Sequence, residues 1–276
     1  MTHTAVTAIT VSYHTGPVLQ ECLAALAASP DISKIVVVDN GNPPETQTWL
    51  RDFASRNDMV ELLEPGKNLG FGAGVNLGAA QAQEGHLLLI NPDAVIDAGA
   101  VPELVTALTP LQQPRIAGGR IYDSAGKECR GTRRRTLTLA RALTTFCGWN
   151  TWTLENTPAP EGPVSMDAVS GALMLTDTAS FRQLAGFDEA YFLHVEDVDL
   201  CRRAWEAGGH ILYCPQAGAL HYGATSNVSS RIVAAHKADS LSYYFQKFSG
   251  NALSRYLVKY MLGPFLKLVL MARARN

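Results

Sequence analysis

Leu87-Leu88-Leu89-Ile90-Asn91-Pro92-Asp93-Ala94 is the stretch whose reading decides the fold. Four apolar residues in a row suit a strand buried on both faces. Pro92 has no N–H to give to a sheet ladder, so pairing ends there. Asp93 is therefore expected at the carboxyl end of a central strand, the edge where open α/β sheets bind ligands. A carboxylate on that edge can hold a hard divalent cation, and the cation a diphosphate. Taken alone, Asn-Pro-Asp is equally an ordinary turn.

On the amino-terminal side, strands and helices alternate. Ala5 to Val11 reads as a strand, and Pro17 to Ala28 as a helix with Leu19, Cys22, Leu23 and Leu26 on one face. Ile35 to Val38 is a central strand, Glu45 to Arg56 a helix, Val60 to Leu63 a short strand and Phe71 to Gln83 a helix. That order predicts a mostly parallel sheet with right-handed crossovers. Its strand ends are polar. Asp39, in Asp39-Asn40-Gly41, can accept from the ring N–H of uracil, thymine or guanine, and Tyr13 can stack on a base; a plain turn is the alternative. Between Lys67 and Asn76, glycines sit before and inside a helix start, where bare N–H groups can approach an anion. The segment lacks both a full G-x-G-x-x-G and the G-K-[ST] of a phosphate loop.

Composition narrows the classes. The chain has 276 residues, 47% hydrophobic and 17% charged, as in a globular protein with a sizeable core. A net charge of −2 argues against nucleic acid as a partner. Cys22, Cys129, Cys147, Cys201 and Cys214 form no C-x-x-C pair, which suits a reducing, cytoplasmic compartment without structural zinc. No secretory signal or bilayer-length apolar run is read.

Beyond Gly118 the chain is less regular. Arg130, Arg133, Arg134 and Arg135 cluster ahead of Trp149 and Trp152. They suit a flexible flap over residues 120–162, pairing with acceptor phosphate or phospholipid; a solvated loop is the alternative. Ser170 to Leu175 reads as a strand, as do Gly209 to Tyr213 and Ala217 to His221. A helix begins near Glu196, with Leu200 and Ala204 buried. Glu196, Asp197 and Asp199 lie within four residues, and their repulsion would raise one pKa toward that of a usable base.

Together VVVDNG (36–41), NLGFGAGVN (68–76), LLLINPDA (87–94), SGALML (170–175), GFDEAYF (186–192), EDVDLCRRAWEAG (196–208) and ALHYGATS (219–226) resemble the family 2 glycosyltransferases, most nearly their rhamnosyltransferase branch. The resemblance implies an α/β GT-A fold. A Rossmann-like nucleotide-sugar half (1–117) merges with an acceptor half (118–230), followed by a helical tail (231–276). It implies inverting transfer of a sugar, L-rhamnose from dTDP-rhamnose, to a glycan or lipid-linked saccharide with Mg²⁺ or Mn²⁺. Thr10, Ser12, Tyr13, Asp39 and Asn40 would line the nucleobase pocket. Asn68, Gly70 and Asn76 would help hold the nucleotide. Asp93 takes the last position of the D-x-D metal motif, with Asn91 in place of its first aspartate. His221 would touch metal or diphosphate. Asp197 matches the base of the catalytic Glu196-Asp197 pair. A UDP-sugar transferase, a sugar nucleotidyltransferase and a catalytically dead nucleotide-sugar binder are the alternatives.

The tail carries eight basic residues and one acid, Asp239. From Ala252 to Met271 the basic residues interleave with apolar ones, with a break expected at Gly263-Pro264. Such a helix pair suits the inner face of the plasma membrane; packing on the domain or on a second subunit of a homodimer is the alternative.

Overall fold

The computed structural model describes residues 5–146, 154, 157–223 and 228–274. Cys147, Trp149, Trp152, residues 224–226 and Arg275 lie outside them. The first half follows the predicted alternation: β1 (Val6–Ser12), α1 (Val18–Ala28), β2 (Lys34–Asp39), α2 (Pro44–Ser55), β3 (Val60–Leu63), α3 (Phe71–Ala79) and β4 (His86–Ile90). After it come β5 (Ala94–Ile96), α4 (Ala100–Leu108), β6 (Arg115–Tyr122), β7 (Arg133–Arg134), α5 (Leu139–Phe146), β8 (Val164–Ser165) and β9 (Ala168–Val169). The second half continues through β10 (Leu173–Asp177), α6 (Thr178–Gln183), α7 (Glu196–Glu206), β11 (His210–His221), α8 (Ser230–Lys247), α9 (Ala252–Leu257) and α10 (Gly263–Arg273).

One sheet runs β3-β2-β1-β4-β10-β6-β11-β5, with β8 added on β11. Residues alternate between two cores, as the two-residue period of a strand requires. Ile9, Val11, Val36, Val38, Leu87 and Leu89 face one cluster, and Val6, Ala8, Ile35, Val37, Leu88 and Ile90 the other. The continuous apolar runs at 35–38 and 87–90 are thus strands covered on both faces.

Parallel pairing holds for β1 with β2, β1 with β4 and β2 with β3. Beyond β4 the sheet is mixed, because β10 runs antiparallel to both β4 and β6. Strand β9, which precedes β10 across Ser170-Gly171-Ala172, pairs with β7 in a separate two-stranded sheet. The two strands expected at 209–213 and 217–221 are one strand, β11, with a register shift between Cys214 and Gly218. Pro215 falls inside that irregularity, where a missing N–H is tolerated.

Helix α3 lies close to the sheet because it is glycine-rich. A Cβ on Gly74 would stand 2.8 Å from Val11 Cγ1, and one on Gly78 2.6 Å from Ile9 Cγ2. The tail departs from expectation at Gly263-Pro264. The helical path is unbroken there, running from α9 through a π-helical stretch (Val258–Leu262) into α10, with Pro264 in the first turn, where no N–H is needed. Val258, Gly263 and Leu266 are buried, and a Cβ on Gly263 would stand 2.5 Å from Ser242 Oγ of α8. Leu253, Tyr256, Tyr260, Met261, Phe265 and Leu268 remain exposed.

Gly78→Val is expected to destabilise the protein by about 1–3 kcal/mol, the usual cost of overpacking, despite the poor helix propensity of glycine. A urea midpoint at or above that of the parent would contradict this account of α3.

Candidate active site

Two carboxylates from distant parts of the chain reach one edge of the sheet. Asp93 follows β4, and Asp197 sits in the first turn of α7. The link between them is β10. The Asn91 N–H donates to the Ala172 carbonyl at 3.1 Å, and the Gly171 N–H donates to Asp197 Oδ2 at 3.1 Å. Gly171 also admits Asp197, since a Cβ there would lie 3.4 Å from the Asp197 Cβ.

On the Asp93 side, β11 brings His221 opposite Ala94. His221 Nε2 lies 3.0 Å from Asp93 Oδ1 and 3.3 Å from Asn91 Nδ2. With Nε2 bare, the ring accepts from Asn91 and meets the Asp93 oxygen lone pair against lone pair. A cation between them relieves that contact. No cluster of three or more His, Cys, Asp or Glu forms among the described residues. Two protein ligands still fit a divalent ion that takes its remaining oxygens from substrate phosphates and water.

The acidic trio divides into three roles. Asp199 is fully buried and accepts from Arg203 Nε at 2.5 Å and from Tyr191 OH at 3.1 Å, with Lys247 Nζ at 2.7 Å. It is a structural ion pair. Glu196 is buried, and its Oε2 has no partner among the described residues. Burial first, and the Asp197 charge second, push its carboxyl up to about 8. Burial and the Asp197 charge thus raise the pKa of Glu196, whose exposure of 6% is close to the 7% of Asp197, so the two acids differ in their partners rather than in depth. Asp197 accepts from Val198 N–H at 2.8 Å on Oδ1 and from Arg134 Nη1 at 2.8 Å on Oδ2.

The expected nucleotide residues separate into ligand-facing and structural ones. Asp39 Oδ1 accepts from the N–H groups of Gly41 and Asn42 and from the Asn42 amide. Its Oδ2 accepts no hydrogen bond within the described residues. Tyr13 is half-buried beside it, edge-on to His14. Thr10 and Ser12, by contrast, are sealed in: the Thr10 hydroxyl is buried without a partner, and the Ser12 hydroxyl bonds to Thr15 and Asn42. They line no open pocket. Asn40, Asn68 and Gly70 form a closed network, in which Asn40 Nδ2 donates to Asn68 Oδ1 and the Gly70 carbonyl, and Gly70 N–H to Asn68 Oδ1.

Gly70 has φ +84, and a Cβ there would lie against the Phe192 carbonyl. The next N–H, of Phe71, is spent on that same carbonyl. The glycines therefore serve close packing, and these amides are not open to an anion. Asn76 clamps the Phe187 N–H and carbonyl and reaches Glu189. It holds a turn and no ligand.

The arginines also part company. Arg134 lies on Asp197, whereas Arg133 donates to Glu128 at 2.9 Å and to Thr157, away from the base. Arg135 is exposed. Neither Arg133 nor Arg135 faces the site. The sequence reading counted Lys237 of α8 among the basic residues of the tail and gave His194 no role, yet both lie within electrostatic reach of Arg134 and Asp197. Only the folding back of α8 brings Lys237 there.

Comparison with known proteins follows this geometry. The profile of Glycosyl transferase family 2 matches residues 7–174. The N-acetylglucosaminyl-diphospho-decaprenol L-rhamnosyltransferase of Mycobacterium tuberculosis is 30% identical over 253 residues, covering 83% of this chain and 81% of that protein. Rhamnosyltransferase WbbL of Escherichia coli is 26% identical over 235 residues, covering 80% and 84%. In fold, the mannosyltransferase PcManGT of Pyrobaculum calidifontis, solved with GDP-Man and Mn²⁺, aligns with a TM-score of 0.60 at 16% identity, over 97% of this chain and 73% of that one. GalNAc-T7, solved with UDP, GalNAc and Mn²⁺, gives 0.64 at 16% identity, over 88% and 48%.

The buried Glu196 makes a pH prediction. Unfolded, it ionises near the ordinary glutamate value; folded, only near about 8. The folded state thus binds the extra proton in this window, and stability drains as pH rises from about 5 to about 8. Glu196→Gln removes the drain, so its melting temperature should gain on the parent steadily across that range. A constant difference would show that Glu196 is ionised throughout.

Proposed function

This chain belongs to glycosyl transferase family 2, and from that premise we propose that it transfers L-rhamnose with inversion from a dTDP-linked donor to a hydroxyl of a lipid-linked saccharide. The observation that carries the reading is the meeting of Asp93 and Asp197 on one sheet edge, tied through Asn91, Ala172 and Gly171.

Asp39 Oδ2 accepts the imide N–H of the donor base, with Oδ1 held by the loop so that the carboxylate cannot turn away. Tyr13 lies under the base. Asp93 and His221, with Asn91 beside them, would hold a divalent cation, whose chemistry would be to offset negative charge on a diphosphate. Asp197 takes the proton of the acceptor hydroxyl as its oxygen attacks the anomeric carbon from the face opposite the diphosphate. The two backbone N–H groups on Asp197 fix its orientation and keep it an acceptor. No covalent intermediate is required, because the nucleoside diphosphate is already a good leaving group.

The choice of rhamnose rests on the rhamnosyltransferase relatives, since uracil and thymine offer Asp39 the same imide. The lipid-linked acceptor rests on the name of the mycobacterial relative and on the exposed apolar face of α9 and α10, flanked by Arg255 and Lys259. No helix among the described residues is long and apolar enough to cross a membrane. That face suits peripheral contact with an anionic bilayer.

Incubation with dTDP-rhamnose or UDP-sugars, Mg²⁺ or Mn²⁺ and a lipid-linked acceptor, followed by nucleoside diphosphate release, tests the reaction. Asp197→Asn should keep donor binding while turnover falls by roughly 10²–10⁴-fold. Unchanged turnover of the folded variant would remove Asp197 from the base role. The double variant Tyr260→Glu, Leu268→Glu changes only exposed positions and should abolish flotation with phosphatidylglycerol liposomes; equal flotation would sink the membrane contact.

A further inference from the structure

The base is flanked by a group of cations that the reaction as described does not use. Arg134 Nη1 is 2.8 Å from Asp197 Oδ2. Lys237, on α8, is exposed and makes no hydrogen bond or ion pair among the described residues, yet it lies within electrostatic reach of Arg134, Arg130 and Asp197. His194, from the turn before α7, lies in the same electrostatic environment, and the His236 ring is 4.5 Å from that of Phe192. Strand β7, the loop before it and helix α8 therefore direct positive charge to one place. The opposing acids are Asp197 and Glu196, and Glu196 is neutral below about pH 8.

Like charges gathered this way repel one another. Crowding and the two arginine charges hold the Lys237 ammonium below the ordinary lysine range. Burial, and then the Lys237 charge, push His194 down to about 4. A bound anion removes that repulsion.

Position identifies which anion. Contacts run from Asp93 and Asn91, which both meet His221, through Ala172 and Gly171 to Asp197 and Arg134, with Lys237 within electrostatic reach of the last two. The donor diphosphate belongs at the Asp93 end of that series. Arg134 follows Asp197 in that series and touches the carboxylate that an acceptor hydroxyl must reach. Helix α8 also carries the tail whose apolar face is exposed, so an amphiphile anchored there has its polar group near Lys237.

We propose that Arg134 and Lys237 seat a phosphate or diphosphate carried by the acceptor, and that its arrival draws Arg134 off Asp197 and so frees the base. Until then the guanidinium occupies the oxygen that must take the proton, which restrains the enzyme from spending its donor on water. Arg134 and Lys237 are positioning residues here; the inference rests on the reading of Asp197 as the base.

The test uses the full chain in EDTA, with pyrophosphate and geranyl diphosphate as probes in calorimetric titrations. Lys237→Gln and Arg134→Met should each weaken pyrophosphate binding at least tenfold, whereas Asp93→Ala should not. Asp197→Asn should tighten it several-fold, because no ion pair then has to break. Geranyl diphosphate binding more tightly than pyrophosphate assigns the site to a lipid-linked acceptor; equal affinity assigns it to the phosphates alone. Lys237→Gln, an exposed change, guards against a misfolded Arg134 variant. Affinity indifferent to Lys237 and Arg134, or lost in Asp93→Ala, overturns the proposal. Asp197→Asn turnover, measured separately, reports on the base itself, so the two failures are distinguishable.

Discussion

The site depends on one constraint: β10 must run against β4. That antiparallel pairing places Ala172 on Asn91 and Gly171 on Asp197, so a residue after β4 and one at the start of α7 share an edge. Neighbouring strands lie about 4.8 Å apart, which is the scale on which a cation site and a base must cooperate across one sugar. A parallel β10 would deliver its opposite end to that edge and leave Asp197 without its Gly171 contact. The mixed sheet is thus the device that joins the carboxyl end of β4 to the start of α7.

The glycine-rich segment serves the same end by packing. Gly72 meets Phe187 at 3.1 Å from where a Cβ would stand, Gly74 meets Val11 and Gly70 meets the Phe192 carbonyl. Helix α3 is therefore held between the sheet below and the 186–196 turn above. Asn76 and the Phe71 N–H stitch it to that turn through backbone atoms. The glycine-rich helix is thereby tied to the turn that leads into α7.

Much of this was legible in the sequence. Apolar runs at 35–38 and 87–90 announce buried strands, and Pro92 announces where the second one stops. The acidic start at Glu196 marks the amino end of α7, and Asp39 ends β2 as read. What escaped is what depends on distant partners. Period and composition cannot tell that three buried carboxylates within four residues part into an ion pair, a neutral acid and a carboxylate paired with Arg134. Arg203 stands one turn further along α7 and is within reach of a sequence reading, but Lys247 and Arg134 approach from other elements. The same limit applies to Asn68, Gly70 and Asn76. A glycine or asparagine near a helix start suits a ligand and a tight backbone contact equally well, and only the contact at Phe192 or Phe187 decides.

The turn before α7 shows why the division is stable. His194 and Val195 are consecutive non-glycine residues at φ 69 and 74, and a β-branched residue there costs about 1–3 kcal/mol. The strain is held from several directions. Ser240 Oγ of α8 donates to the Leu193 carbonyl, the Val195 carbonyl accepts from the Asp199 N–H, and Val195 packs in the core with Tyr244 and Leu241. The left-handed pair lets the helix begin abruptly, so that Glu196 points into the protein while its neighbour Asp197 points at Gly171 and Arg134. Both acids are buried, and they differ in partners: Asp197 accepts from Gly171, Val198 and Arg134, whereas Glu196 Oε2 has no partner among the described residues. The strained turn keeps one acid protonated and the other available, and α8 supplies both the clamp on that turn and the lysine that faces it.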